Sequence, residues 1–286
     1  MPPCPHPLVT IGLFATVITS GRAQTSTPAA RGPVASAPPV VVTVEAHDYA
    51  FTVPARIAPG VVTIRLVNHG KESHHAQVIR LEQGKTAGDV LRVFTDTAAM
   101  PAWVVYVGGP VGTAPGQERN STIRLTPGRY AMLCRIVSPD RKTHVMKGMI
   151  REFEVVTQRG AIPTAFPVAT DTLRLNDYGF AAGRPLSAGR HVVRVENAGP
   201  QPHEVVVLQL RPGQTPLDFA HWGLGGRRGP APAMPIGGAE FLERSQVGLF
   251  ELDLAKGNYG FICFVPDDKD GKRHFLHGMM AQFAVR

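Results

Sequence analysis

The chain repeats itself. Asp48, Tyr49 and Phe51 recur as Asp177, Tyr178 and Phe180, Asn68 as Asn197 and His74 as His203. Gly108-Gly109 recur as Gly237-Gly238, Tyr130 as Tyr259 and Cys134 as Cys263, every pair at an offset of 129. Past the cysteine the second copy carries one more residue, so His144/His274 and Met149/Met279 stand 130 apart. Self-similarity at a fixed period constrains a fold more tightly than local propensity does, because one architecture must satisfy both copies. The matched positions include, in each copy, two imidazoles, a thiol and a thioether.

Both copies are rich in Gly, Pro, Val and Thr and poor in long amphipathic stretches. Short β-branched runs bounded by turn residues read as strands. In the first copy these are 40–45, 61–67, 74–81, 121–125, 128–134 and 148–156. In the second they are 171–175, 191–196, 203–210, 249–254, 259–263 and 279–285. One short helix falls in each copy, with Thr86 and Thr215 as N-caps and Pro216 at a first helical position. The fold class is all-β: two tandem Greek-key β-sandwich domains, at 40–156 and 170–286. The linker, 157–169, holds Gly160, Pro163 and Pro167 without periodicity.

Residues 1–23 read as a secretory signal peptide. The apolar run Leu8 to Ile18 is too short to span a bilayer, and Gly21 and Ala23 place cleavage near Ala23. Residues 24–39, rich in Pro and Ala, read as a flexible tether. Periplasmic or secreted localisation follows, with membrane attachment only if the N-terminal segment is retained. Cleavage removes one charge, Arg22, and lowers the net charge from +8 to +7. That balance fits an acidic protein partner or an anionic surface. It does not favour nucleic acid, since the charges are scattered and form no basic stripe. Cleavage also removes Cys4, leaving Cys134 and Cys263. They occupy equivalent positions of separate domains, and a disulfide needs their Cα atoms within about 7 Å, so free thiols are expected.

Two His and a Cys near trigonal with a weak axial Met form the ligand set of a blue-copper site. With Asn68, His74, Tyr130, Cys134, His144 and Gly148-Met149 in one copy, and Asn197, His203, Tyr259, Cys263, His274 and Gly278-Met279 in the other, the chain resembles the cupredoxin family of plastocyanin- and azurin-like proteins. The resemblance implies copper held by His74, Cys134, His144 and Met149 and by His203, Cys263, His274 and Met279. That gives one copper per domain, up to two, in type 1-like sites used for one-electron transfer with a redox partner protein. It also implies that the second His of each set brings a ring edge to the surface. Arg141 and Lys142, and Lys269, Lys272 and Arg273, would then steer an acidic partner there.

The Cys-to-His loops depart from the plastocyanin pattern. They hold nine residues (135–143) and ten (264–273), closer to copper nitrite reductases. Enzyme activity is not expected, because no His adjoins either Cys to join a second copper centre: Leu133 and Arg135 flank one, Ile262 and Phe264 the other. The alternative is a cupredoxin-like module without redox copper, serving binding, copper sequestration or an envelope-associated role. His75 reads as a surface residue, Trp103 and Trp222 as packing residues, and Met146 and Met280 as core or rim.

Overall fold

The computed structural model describes residue 1 and residues 38–94, 100–160 and 162–286. The expected signal peptide beyond Met1 and nearly all of the tether lie outside the described residues. Among the described residues no helix is long and apolar enough to cross a membrane.

The first half runs β1 (Val40–His47), β2 (Ala50–Thr52), β3 (Arg56–Ile57), β4 (Gly60–Asn68), β5 (Gln77–Leu81), α1 (Ala87–Val93), β6 (Val104–Gly108), β7 (Glu118–Leu125), β8 (Gly128–Leu133) and β9 (Ile150–Val155). The second runs β10 (Asp171–Asn176), β11 (Gly179–Ala182), β12 (Gly189–Asn197), β13 (His203–Leu210), α2 (Pro216–Leu224), β14 (Ala233–Leu242), β15 (Val247–Leu254), β16 (Gly257–Ile262) and β17 (Met280–Val285). The alternation that marks half-buried strands is plain in β1, where Val42, Val44 and Ala46 face the core and their neighbours face solvent. Both helices start on a capping box. Thr86 and Thr215 each accept from the backbone N–H three residues on, and Asp89 and Asp218 reach back to the threonine N–H.

The strands form two sheets, and each sheet runs through both halves. One has the order β11-β10-β12-β15-β7-β4-β1-β2 and the other β17-β16-β13-β14-β6-β5-β8-β9-β3. The halves meet where Thr122 of β7 lies opposite Leu249 of β15 and Val107 of β6 opposite Leu242 of β14. In each half the first strand lies parallel to its sheet neighbour: β1 to β4 and β10 to β12. The all-β, two-sandwich architecture is the one expected, and it is cupredoxin-like.

The core follows the same division and then crosses it. Val44, Ile64, Leu66, Val78, Ile123, Tyr130, Met132, Cys134 and Met149 form a cluster within the first half. Ile79, Leu133 and Val145 of the first half share a second cluster with Val195, Val207, Phe250, Cys263 and Met279 of the second. Burying an aliphatic side chain of this size contributes about 1.5–3 kcal/mol, so the shared cluster stabilises the junction as well as each sandwich.

One strand begins later than its sequence indicates. His74 lies outside β5, in an isolated bridge to Thr113, whose backbone exchanges two hydrogen bonds with it (3.1 and 2.7 Å). The neighbour β6 ends at Gly108, so residues 74–76 face an irregular segment. In the second half β14 continues to Leu242, and His203 pairs with Leu242 inside β13.

Candidate metal centres

Each centre is assembled from three places in the chain. The first His is fixed by the Asn at the end of the preceding strand. Asn68 donates to the Glu72 and Thr113 carbonyls and accepts from Gly70 N–H; Asn197 donates to the Gln201 and Leu242 carbonyls and accepts from Gly199 N–H. These glycines lie against the imidazoles. A Cβ on Gly70 would stand 2.6 Å from His74 Nε2, and one on Gly199 2.5 Å from His203 Nε2.

The Cys, the second His and the Met come from the last strand-loop-strand. Cys134 follows β8 and donates its N–H to the Met149 carbonyl (3.2 Å), while its own carbonyl accepts from Val145 N–H (2.7 Å). His144 N–H donates to the Ile136 carbonyl and Met149 N–H to the His144 carbonyl, each at 2.9 Å. The second half repeats this with Cys263 N–H to Met279 (3.2 Å), Phe275 N–H to Cys263, His274 N–H to Val265 and Met279 N–H to His274. Bridges between Val137 and Thr143 and between Pro266 and Arg273 close the stems of the two long loops. The extra residues lie beyond those bridges, at the tips, so loop length does not alter how the second His is delivered. Between His and Met the chain turns through left-handed Gly148 (φ 98°) and Gly278 (φ 95°), a conformation that favours glycine.

The result is two buried His-Cys-His groups. His74 Nδ1 and His144 Nδ1 lie 3.0 Å apart, with Cys134 Sγ 3.4 Å from His144 Nδ1. His203 Nδ1 and His274 Nδ1 also lie 3.0 Å apart, with Cys263 Sγ 3.5 Å from His274 Nδ1. All six residues are fully buried, as are Met149 and Met279. Both cysteines are free thiols.

The opposite ring nitrogens decide what these groups can hold. His74 Nε2–H donates to Asp48 Oδ1 (2.8 Å) and His144 Nε2–H to Glu72 Oε2 (3.1 Å). A nitrogen donating to a carboxylate carries the proton, so in neutral imidazoles both Nδ1 lone pairs point at each other and at the sulfur. Two lone pairs and a sulfur whose single proton can serve only one of them at a time fit a soft cation held between them. In the second group His203 Nε2–H donates to Asp177 Oδ1 (2.8 Å), and His274 Nε2 stands 3.8 Å from Asp267 Oδ2.

The carboxylate beside the second His comes from different positions in the two halves. Glu72 supplies it in the first, where Tyr49 donates to Glu72 (2.6 Å). The residue matching Glu72 is Gln201, and the one matching Ser138 is Asp267. There Tyr178 and Gln201 both donate to Asp267 Oδ2, at 2.6 and 3.0 Å. Acid and neutral partner have exchanged places, and a carboxylate still faces the imidazole.

The thiols differ. Burial alone raises a thiol, yet the imidazoles of His75, His144 and His74 outweigh it and hold Cys134 well below its ordinary range. Burial and then the Glu204 carboxylate push Cys263 well above it. His75 and Glu204 occupy the same place, next to the first His of each set. The Arg135 N–H donates to His75 Nε2 (2.7 Å) and the Phe264 N–H to Glu204 Oε1 (2.6 Å).

Several expectations change here. His75 is 5% exposed and faces Glu240, because the backbone after Cys134 needs an acceptor there. The expected exposed imidazole edge is absent at both centres. Tyr49 covers His144 edge-on (centroids 5.0 Å) and Tyr178 covers His274 (5.5 Å). Lys147 Nζ stands 4.4 Å over the Tyr49 ring. Sequence reasoning noted that Asp48 and Tyr49 recur but gave them no role. The signal was a pair of polar residues repeated far from any recognised ligand. Glu72 and Asp267 left no such signal, because their positions do not match.

Fold and site together define a cupredoxin-like chain with two His-Cys-His groups. No family model matches it, and no curated protein matches it. Solved structures similar to it include reduced auracyanin from Roseiflexus castenholzii, with 14% identity over 42% of this chain and 99% of that chain (TM-score 0.30). They also include a multicopper oxidase, with 15% identity over 86% of this chain and 88% of that one (TM-score 0.23). A copper nitrite reductase from Nitrosomonas europaea matches with 15% identity over 86% of this chain and 94% of that one (TM-score 0.25). The expectation that the chain is not an enzyme is therefore withdrawn. Proteins named as enzymes match along most of its length.

Proposed function

We propose that the chain is an exported copper protein whose two centres, His74/Cys134/His144/Met149 and His203/Cys263/His274/Met279, each hold one copper ion and pass single electrons. The observation that carries this reading is the convergence of two Nδ1 atoms 3.0 Å apart on a buried cysteine sulfur, twice in one chain. When bound, copper supplies a one-electron couple. The protein's residues do the rest. The carboxylates of Asp48, Glu72 and Asp177 hold imidazole tautomers and ring planes, the closed loop stems fix the thiolate, and full burial keeps water from the ligand atoms. A rigid, dry donor set that suits both oxidation states keeps reorganisation on electron transfer small.

Export is supported by the N-terminal apolar run and the small residues before Gln24. The partner in this reading is an acidic redox protein that meets the first centre. The exposed Arg141 and Lys142 lie on its loop tip, and Met146, after the loop, is exposed as well. The second loop carries Asp267, Asp268 and Asp270 with Lys269, Lys272 and Arg273, and its charges cancel. The test is copper titration of the purified chain followed in the visible. Two equivalents with a thiolate-to-copper band support the reading. Tight copper without that band would leave sequestration, and no uptake would leave a metal-free module.

A further inference from the structure

Where the two halves meet, a cavity of roughly 110 Å³ is lined by residues of both. Val206, Phe219, Phe241 and Phe264 make much of its wall apolar. Two buried guanidinium nitrogens on the same wall, Arg135 Nη2 and Arg227 Nε, have no hydrogen-bond acceptor among the described residues. His75 accepts the Arg135 N–H at Nε2, so its Nδ1 carries the proton. That nitrogen is paired with Glu240 Oε2 at 2.9 Å, so His75 and Glu240 satisfy each other on the wall. Arg135 is 8% exposed, and its guanidinium is wedged between the rings of Phe94 and Phe241 (5.3 and 4.9 Å), with Nη1 donating to Tyr106 Oη (3.4 Å). It has little freedom to turn Nη2 elsewhere. The remaining carboxylate on the wall, Glu204, is engaged by Phe264 N–H.

A buried donor left without an acceptor is destabilising, more so when charged, and native proteins rarely leave two together. Two cationic donors beside one partly apolar cavity call for an acceptor-rich guest with an apolar body. We propose that this cavity binds a small organic monoanion, a short-chain carboxylate, with its oxygens on Arg135 and Arg227 and its alkyl end against the phenylalanines. An inorganic anion would satisfy the donors and leave the aromatic wall uncovered. Arg135 directly follows Cys134, and the His75 N–H reaches Cys134 Sγ (3.4 Å), so an occupant would also touch the surroundings of the first thiol.

The test is calorimetric titration of the full, metal-free chain with propionate in a buffer free of carboxylates. Because no copper is present, its failure and the failure of the copper reading are separate results. The expected outcome is one saturable site, weakened about tenfold by Arg227→Gln through loss of a charged hydrogen bond. Val206→Leu, which fills part of the cavity, should weaken it too, and Arg228→Gln, off the cavity wall, should leave it unchanged. Each variant's melting temperature shows that it is folded. Absence of saturable binding, binding indifferent to both Arg227→Gln and Val206→Leu, or displacement by an equal concentration of chloride would each overturn the proposal.

Discussion

Replacing Asp48 by alanine should weaken copper at the first centre without removing its colour. Asp48 Oδ1 accepts from His74 Nε2 at 2.8 Å. The same carboxylate accepts from the Lys71 and Glu72 N–H groups. Losing a hydrogen bond to a charged acceptor costs about 1.5–3 kcal/mol, which is roughly 10- to 150-fold in a binding constant. Removal of a carboxylate behind a metal-bound imidazole elsewhere costs about 10- to 100-fold, the same range. Part of the loss would come from the freed 71–72 backbone, so Asp48→Asn, which keeps an acceptor, should lose less. The assay is competition between the protein and a Cu(I) chelator in a Cys263→Ser background, where only the first centre counts. Asp177→Ala in a Cys134→Ser background is the matching experiment. If Asp48→Ala leaves the affinity within about twofold, the tautomer argument for the site is wrong.

Other outcomes follow from the same geometry. Gly148→Ala and Gly278→Ala force a side chain into the left-handed region and should each cost about 1–2 kcal/mol in denaturant unfolding. Arg141→Glu with Lys142→Glu should slow reduction by an acidic redox protein at low salt, an effect that fades as added salt shortens the screening length, with the visible spectrum unchanged. Away from the centres, Asp171 accepts from His191 Nδ1 (2.7 Å), Thr170 and Arg184. Burial raises its carboxyl, but those bonds prevail and hold it below the ordinary 3.8. A depressed carboxyl stabilises the fold above its ordinary value and loses that effect as pH falls through its folded value. Asp171→Asn should therefore lower unfolding free energy at neutral pH, with the gap to the unaltered chain closing below pH 3.8.

The matched offsets and β-branched runs made the sandwich architecture legible, because strand alternation and turn residues are local properties. Thr86, Thr215 and Pro216 gave the helix starts for the same reason. Short strands such as β2, β3 and β11 were not legible: Ala50–Thr52 and Arg56–Ile57 are too brief to show a period, and only their sheet neighbours make them strands. The liganding residue types could be picked out one by one, while the closing of long loops onto Ile136 and Val265 depends on contacts that spacing does not encode. The exchanged pair Glu72/Ser138 and Gln201/Asp267 shows the limit most clearly. Position-by-position matching reads it as two differences, and only three-dimensional neighbours reveal one retained carboxylate. The cover of Tyr49 over His144 was hidden likewise, since they lie far apart in sequence and meet edge to face.

The central claim is that each buried His-Cys-His group places a thiolate on copper. The direct measurement is the visible absorption of the fully loaded chain beside its copper content, for the unaltered protein, Cys134→Ser, Cys263→Ser and the double variant. The account predicts two coppers and an intense thiolate-to-copper band in the unaltered chain, one contribution lost in each single variant, and a colourless double variant. Two tightly bound coppers with no such band, or a band that survives the double substitution, would contradict it.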